Sequence, residues 1–206
     1  MTRPGVVRSY GGVSAEDRRA ERRTRLLTVG RQLWGESGTA AVTVRGVCKA
    51  AGLTDRYFYE HFAHRDELLV AIADQLRDQL LTAMVQAGVA EAGGAAEKLQ
   101  SGLQALLDIV AGDPHIHRIA TSDPAGVAGL AERRHAMLGI IADLVVQYAP
   151  TALDTELDPE SLRRAALFIT GGVNQLIEGW LEGSLPLSTA ELAAECARLS
   201  VRTLTE

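Results

Sequence analysis

Residues 38–69 read GTAAVTVRGVCKAAGLTDRYFYEHFAHRDELL, and their pattern decides the fold. Val44, Val47, Cys48 and Ala51 recur at the spacing of one face of a short helix. Gly52 supplies a turn, and Thr54 can cap a second short helix, about 54–61, in which Phe58 and Phe62 face inward. Two short helices joined by so tight a turn form a helix-turn-helix. Upstream, about 14–36, Leu26, Leu27, Leu33 and Trp34 make one apolar stripe, while Arg18, Arg19, Arg22, Arg23 and Arg25 crowd the beginning of the same helix. Cations there oppose the helix dipole, so the cluster calls for an anionic partner such as phosphate, beyond the local pairing of Glu21 with Arg25.

Downstream, proline and glycine cut the chain into segments of helical length, and no sustained period-2 alternation marks a strand. The expected class is all-α, with further helices at about 44–51, 66–87, 95–111, 115–121, 125–149, 159–182 and 189–204, nine in all. Asp113-Pro114, Asp123-Pro124 and Asp158-Pro159 each pair an N-cap acceptor with a proline suited to the first helical turn. Ser188 with Glu191 has capping-box spacing, and Pro150 is expected to stop the seventh helix.

Of 206 residues, 47% are hydrophobic and 23% charged, the composition of a globular chain. No uninterrupted apolar run has the length of a membrane helix and no leader-type apolar region is evident, so a cytoplasmic protein with no membrane partner is expected. Cys48 and Cys196 have no metal or redox spacing and read as small core residues. The net charge of −5 hides an asymmetry: residues 1–65 hold 12 basic against 6 acidic side chains, residues 66–206 hold 9 against 20. A basic head on an acidic body suits a protein whose head alone meets a polyanion.

The order of residues in the head resembles the TetR family of bacterial transcriptional regulators: T-V-R-G-V in the first short helix, A-A-G-L-T at the turn, F-Y-E-H-F in the second, and Arg65 before D-E-L-L. The resemblance covers about residues 20–70. It implies a three-helix DNA-binding domain over 14–65, preceded by a flexible basic arm (1–13, with Arg3, Arg8 and Tyr10) and followed by a larger helical ligand-binding and dimerisation domain over 66–206. The second short helix is then expected to enter the major groove. Arg45 matches a position that reaches a base or phosphate, and its guanidinium can fork onto guanine; Thr43 caps its helix and can touch phosphate. Thr54, Arg56 and Tyr57 stand at the exposed start of the recognition helix, Tyr59 and His61 match backbone-holding positions, and Arg65 matches a phosphate-binding one. Asp55 would repel phosphate unless it pairs with Arg56 or accepts from a cytosine amine.

Such a head acts as a twofold dimer on a palindromic operator. The segment 165–180 is apolar over nearly its whole circumference, so Gly171, Gly172, Leu176 and Trp180, with Leu192 and Leu199 of the last helix, are expected to form a four-helix bundle with a second copy. An effector site is expected among the fourth, fifth, seventh and eighth helices, at Leu107, Val110, His117, Met137, Ile141 and Asn174, for an unidentified small molecule. The chain is thus expected to be a homodimeric repressor released by that molecule, without cofactor. The His115-His117 pair and the Asp154-Glu156-Asp158 run do not make a metal site, and no nucleophile elbow, zinc-protease helix or phosphate loop points to an enzyme. The alternative is a protein-interaction or chromosome-organising module that keeps the fold with little sequence specificity.

Overall fold

The computed structural model describes residues 14–153 and 158–205. Among them the regular elements are all helical: α1 (Ala15–Ser37), α2 (Val44–Ala51), α3 (Asp55–Tyr59), α4 (Arg65–Ala90), α5 (Ala95–Gly112), α6 (Pro114–Ala120), α7 (Leu130–Leu153), α8 (Pro159–Leu181) and α9 (Thr189–Thr205), with short 3-10 turns at Thr39–Ala41 and Pro124–Gly126. The chain is all-α, as its pattern implies. The basic arm, Asp154 and Glu156 lie outside the described residues.

Local chemistry sets most boundaries. Ser14 opens α1 with a reciprocal capping box with Asp17. The Asp113 carboxylate accepts from the amides of His115 and Ile116, and that of Asp158 from Glu160 and Ser161, so both Asp-Pro pairs open helices. Ser188 and Glu191 cap α9 reciprocally, at 2.8 and 3.2 Å. Gly52 ends α2 in the left-handed region at φ 65°, where a side chain would be strained.

Two expectations fail here. Asp123-Pro124 opens only a 3-10 turn; α7 begins at Leu130, after Gly129 turns the chain at φ 85°. Pro150 lies inside α7 instead of stopping it. The last turn is held by packing: Ala149 is buried with Leu162, Ile169 and Leu204, and Leu153, beyond the proline, packs against the same group. That contact offsets the lost backbone bond.

The largest core cluster crosses the expected boundary at residue 65. It runs from Leu26, Trp34, Val47, Phe58 and Phe62 in the head through Leu68, Ile72 and Leu76 of α4 to Ile116 and Ile119 of α6. α1 and α6 are clamped together: the Arg118 guanidinium donates to the Glu36 carbonyl, the Trp34 Nε1 donates to Ser122 Oγ at 2.8 Å, and Gly35 lies flat against His115. A Cβ on Gly35 would come within 2.4 Å of the His115 Cβ. Gly35→Ala is therefore expected to destabilise the fold by about 1–2 kcal/mol, overpacking outweighing the gain in helix propensity, as read by denaturant unfolding.

Candidate nucleic-acid interface and ligand cavity

The helix-turn-helix stands on two buried rings, Phe58 and Phe62, whose centroids lie 5.6 Å apart. Around them Thr43, Arg45, Thr54, Arg56, Tyr57 and Tyr59 are exposed, while His61 and Arg65 are half-buried. Thr43 caps α2 by accepting from the Gly46 amide at 3.0 Å. Thr54 precedes α3 but its hydroxyl makes no capping bond. The Arg56 side chain is 86% exposed and pairs with Glu60 at 3.5 Å, an exposed contact that holds it weakly. Asp55 faces the Cys48 thiol rather than Arg56; burial first, then the Asp55 carboxylate, pushes that thiol up to about 11, so it stays protonated.

The arginine cluster of α1 has partners of its own. Arg22 lies over the Tyr57 ring, 4.6 Å from its centroid, and pairs with Glu60 at 3.7 Å. Arg19 donates to the Glu60 carbonyl at 3.1 Å, and Arg23 stands over Phe62. These cations fasten the recognition helix to α1, and the cost of placing them early in a helix is met within the protein. Arg65 is likewise engaged: its Nε donates to the Val42 carbonyl at 2.7 Å, Nη2 to the Thr39 carbonyl, and Nη1 to Asp66 at 2.9 Å. It ties the start of α4 to the turn before α2.

His61 departs from its expected place. Its Nε2 is buried without a hydrogen-bond partner, as is Arg22 Nε nearby, so that nitrogen cannot meet a phosphate. Burial, then the charges of Arg19 and Arg22, hold the imidazole below its ordinary value and keep it neutral. The unfolded chain binds this proton more readily than the folded one, so the associated stability is complete above about pH 6.5 and is lost as pH falls through the folded value. A His61→Asn variant is expected to lose stability less steeply than the parent between about pH 6.5 and pH 5, in denaturant titrations at each pH.

An apolar cavity of about 360 Å³ lies among α4, α5, α7 and α8. Met137, Ile141 and Asn174 line it. Leu107 and Val110 do not: Leu107 packs with Leu192 between α5 and α9, Val110 belongs to the head-side core, and His117 stays on α6 outside the lining. Sequence reasoning missed Trp34, which reaches the cavity from α1, and the charged group Asp74, Arg77, Arg133 and Arg134. The adjacent arginines 133 and 134, at the start of an otherwise apolar helix, were the available signal. Among the described residues no His, Cys, Asp and Glu side chains cluster as metal ligands.

The expected dimer residues divide. Leu192 is fully buried inside the subunit against Leu103 and Leu107, with Leu176 and Trp180 packed on the same group, so Leu192 cannot face a second copy. The Trp180 Nε1 donates to the Leu187 carbonyl at 3.0 Å. The stripe on α9 reads as an interface in sequence because it is apolar; α5 and α8 already cover it. Gly171, Gly172 and Leu199 are exposed, and a Cβ on either glycine would meet nothing within 4 Å. Beside the glycines Phe168 is 72% exposed and Leu167 is exposed, as are Ile140, Leu144 and Tyr148 of α7. α7 has the length and mean hydropathy, 1.5, of a membrane span, with only 11% of that window buried. One side of it lines the cavity and is only partly covered; the other is this exposed strip.

The architecture is a helix-turn-helix head joined to a larger helical body. Residues 26–72 match the family model of the bacterial regulatory proteins of the tetR family. Solved structures share the fold along most of their length. The fatty acid degradation regulator FadR from Bacillus halodurans is 18% identical, with 86% of this chain and 97% of that one covered at a TM-score of 0.66. A putative TetR-family regulator from Rhodococcus sp. is 22% identical (90% and 100% covered, TM-score 0.66), and a tetR-family regulator from Streptomyces coelicolor 19% identical (89% and 80%, TM-score 0.67). Residues 26–72 thus carry the DNA-binding domain of the tetR family, on a chain whose fold is shared with these regulators.

Proposed function

We propose that the protein is a homodimeric, sequence-specific repressor of the cytoplasm that binds a palindromic operator and is released by a small molecule in the α4–α8 cavity. The head is residues 14–65 and the body 66–206. The observation that carries the reading is Trp34: it belongs to α1, the helix on which α3 is fastened, yet it lines the cavity and is bonded to Ser122 beyond α6. A ligand that fills the cavity meets the head directly. It prefers the arrangement in which α1 and α4 are displaced and the two recognition helices no longer match half-sites about 34 Å apart. By linkage, ligand and operator weaken each other by the same factor.

In this reading Arg45, Arg56 and Tyr57 meet base edges, and Thr43, Thr54 and Tyr59 hold phosphates. Arg65 keeps its frame and offers its remaining N–H groups to phosphate; His61 drops out of the contact set. The outer faces of α7 and α8 supply the dimer contact, because Phe168, Ile140 and Tyr148 flank two glycines that leave room for a close second backbone.

Purified protein incubated with sheared genomic DNA at about 150 mM salt with excess random competitor is expected to enrich one palindrome. If it enriches nothing although folded and dimeric, the interaction-module reading replaces this one. Arg45→Ala is expected to cost about 1–3 kcal/mol on the operator and to relax one base position, whereas Arg65→Ala weakens all sequences alike and also lowers stability; equal losses of Arg45→Ala on operator and random DNA would refute this division. Phe168→Glu is expected to give a folded monomer by sedimentation with at least a tenfold loss of operator affinity.

A further inference from the structure

The cavity's shape and wall define a ligand class. Its lining runs along α7 from Leu130 to Val145 and along α8 from Leu181 back to Ile169. The thirteen residues of α8 from Ile169 to Leu181, faced by α7, span about 18 Å. With a volume of about 360 Å³ over that stretch, the mean cross-section is roughly 20 Å², which suits a single unbranched hydrocarbon chain better than a fused ring plate. The walls are aliphatic, formed by residues such as Leu80, Met84, Leu106, Met137, Ile141 and Ile177. Trp34 is the one aromatic side chain in the lining. Beyond Asn174, whose amide has no hydrogen bond among the described residues, the inner hydroxyls are turned away: Thr170 donates to the Ala166 carbonyl at 2.8 Å and Ser200 to the Cys196 carbonyl at 2.7 Å. That end therefore offers a ligand hydrocarbon.

The other end is charged and open. Of all the lining residues only Arg133 is exposed, its side chain 58% accessible. Arg77 is held by Asp74 at 2.7 Å and Asp78 at 2.8 Å, and Arg134 by Glu178 at 2.8 Å. Among the described residues Arg133 has only Asp74, at 3.5 Å and already shared with Arg77. One carboxylate serving two guanidiniums leaves the outer one short of acceptors at the mouth of an apolar channel.

We infer that the cavity takes a linear aliphatic molecule ending in an anion, its chain lying along α7 and α8 and its anionic group meeting Arg133. At roughly 30 Å³ per small heavy-atom group, or ~1.2 Å of advance per bond of an extended chain, the channel holds about twelve to fifteen carbons. The inference rests on the cavity being the effector site.

The test is calorimetric titration of the full-length protein with straight-chain monocarboxylates of about six to about eighteen carbons, the matching primary alcohols, and the coenzyme A thioesters, with Trp34 emission as a second readout. Affinity for the acids is expected to rise about fourfold per added methylene and to level off near fourteen carbons. Arg133→Gln, an exposed change that leaves the fold intact, weakens the acid at least tenfold and leaves the alcohol unchanged; Ile141→Trp, which fills the channel, weakens both. Whichever of acid and thioester binds tighter, with Arg133 required, names the source of the anion. Equal binding of acid and alcohol, or no effect of Arg133→Gln, overturns the anionic end; no rise with chain length overturns the class. Operator release, scored in parallel by mobility shift, separates this from the parent reading. If chains bind in this pattern without releasing DNA, the ligand class stands and the effector role falls. If they do not bind but another small molecule releases the operator, the ligand class falls and the effector role stands.

Discussion

The burial of Trp34 is the contact on which the rest of the structure depends. Its ring is fully buried, its indole N–H is bonded across 88 positions of sequence to Ser122, and its neighbours include both head-side core residues and the cavity wall. A large aromatic with its one polar atom satisfied is an economical joint: it supplies apolar area in two directions and fixes orientation with a single bond. Gly35 and Arg118 close the same seam, so α1 is a member of the head and a wall of the body at once.

Charge organises the head in a second way. The arginines at the start of α1 are spent largely on α3, over Tyr57 and Phe62 and onto Glu60, and Arg65 is spent on the carbonyls before α2. The recognition helix has only five residues, too few to be stable alone, and these long side chains hold it from outside while Phe58 holds it from inside. The exposed groups left on this face include Arg45 and the weakly held Arg56, with the hydroxyls of Thr43, Thr54 and Tyr59.

The parts legible in sequence are those written in local rules. The helix-turn-helix is carried by the spacing of Val47, Cys48, Phe58 and Phe62 and by Gly52; helix starts are carried by Asp113, Asp158 and Ser188, whose acceptors act within three residues. What escaped depends on distant partners. Pro150 reads as a stop until Leu153 is seen packed beyond it. Leu192 and Leu107 read as interface and pocket, yet they meet one another, because an apolar stripe does not state which neighbour covers it. Asp74, Arg77 and Arg133 stand on two helices with no sequence spacing that joins them, and only the fold gathers them at one mouth. His61 has the residue type for a phosphate contact but a nitrogen turned into the core.

The seam between α1 and α6 also bears on how such a chain can change over time. A reader and a sensor joined by a plain linker can be exchanged as cassettes, each keeping its surface. Here a cut at residue 65 would leave the body's cavity without one of its walls and the head with an indole and a flat glycine shaped for a helix it no longer meets. A graft of this head onto a foreign body must therefore carry α6 and Ser122 with it.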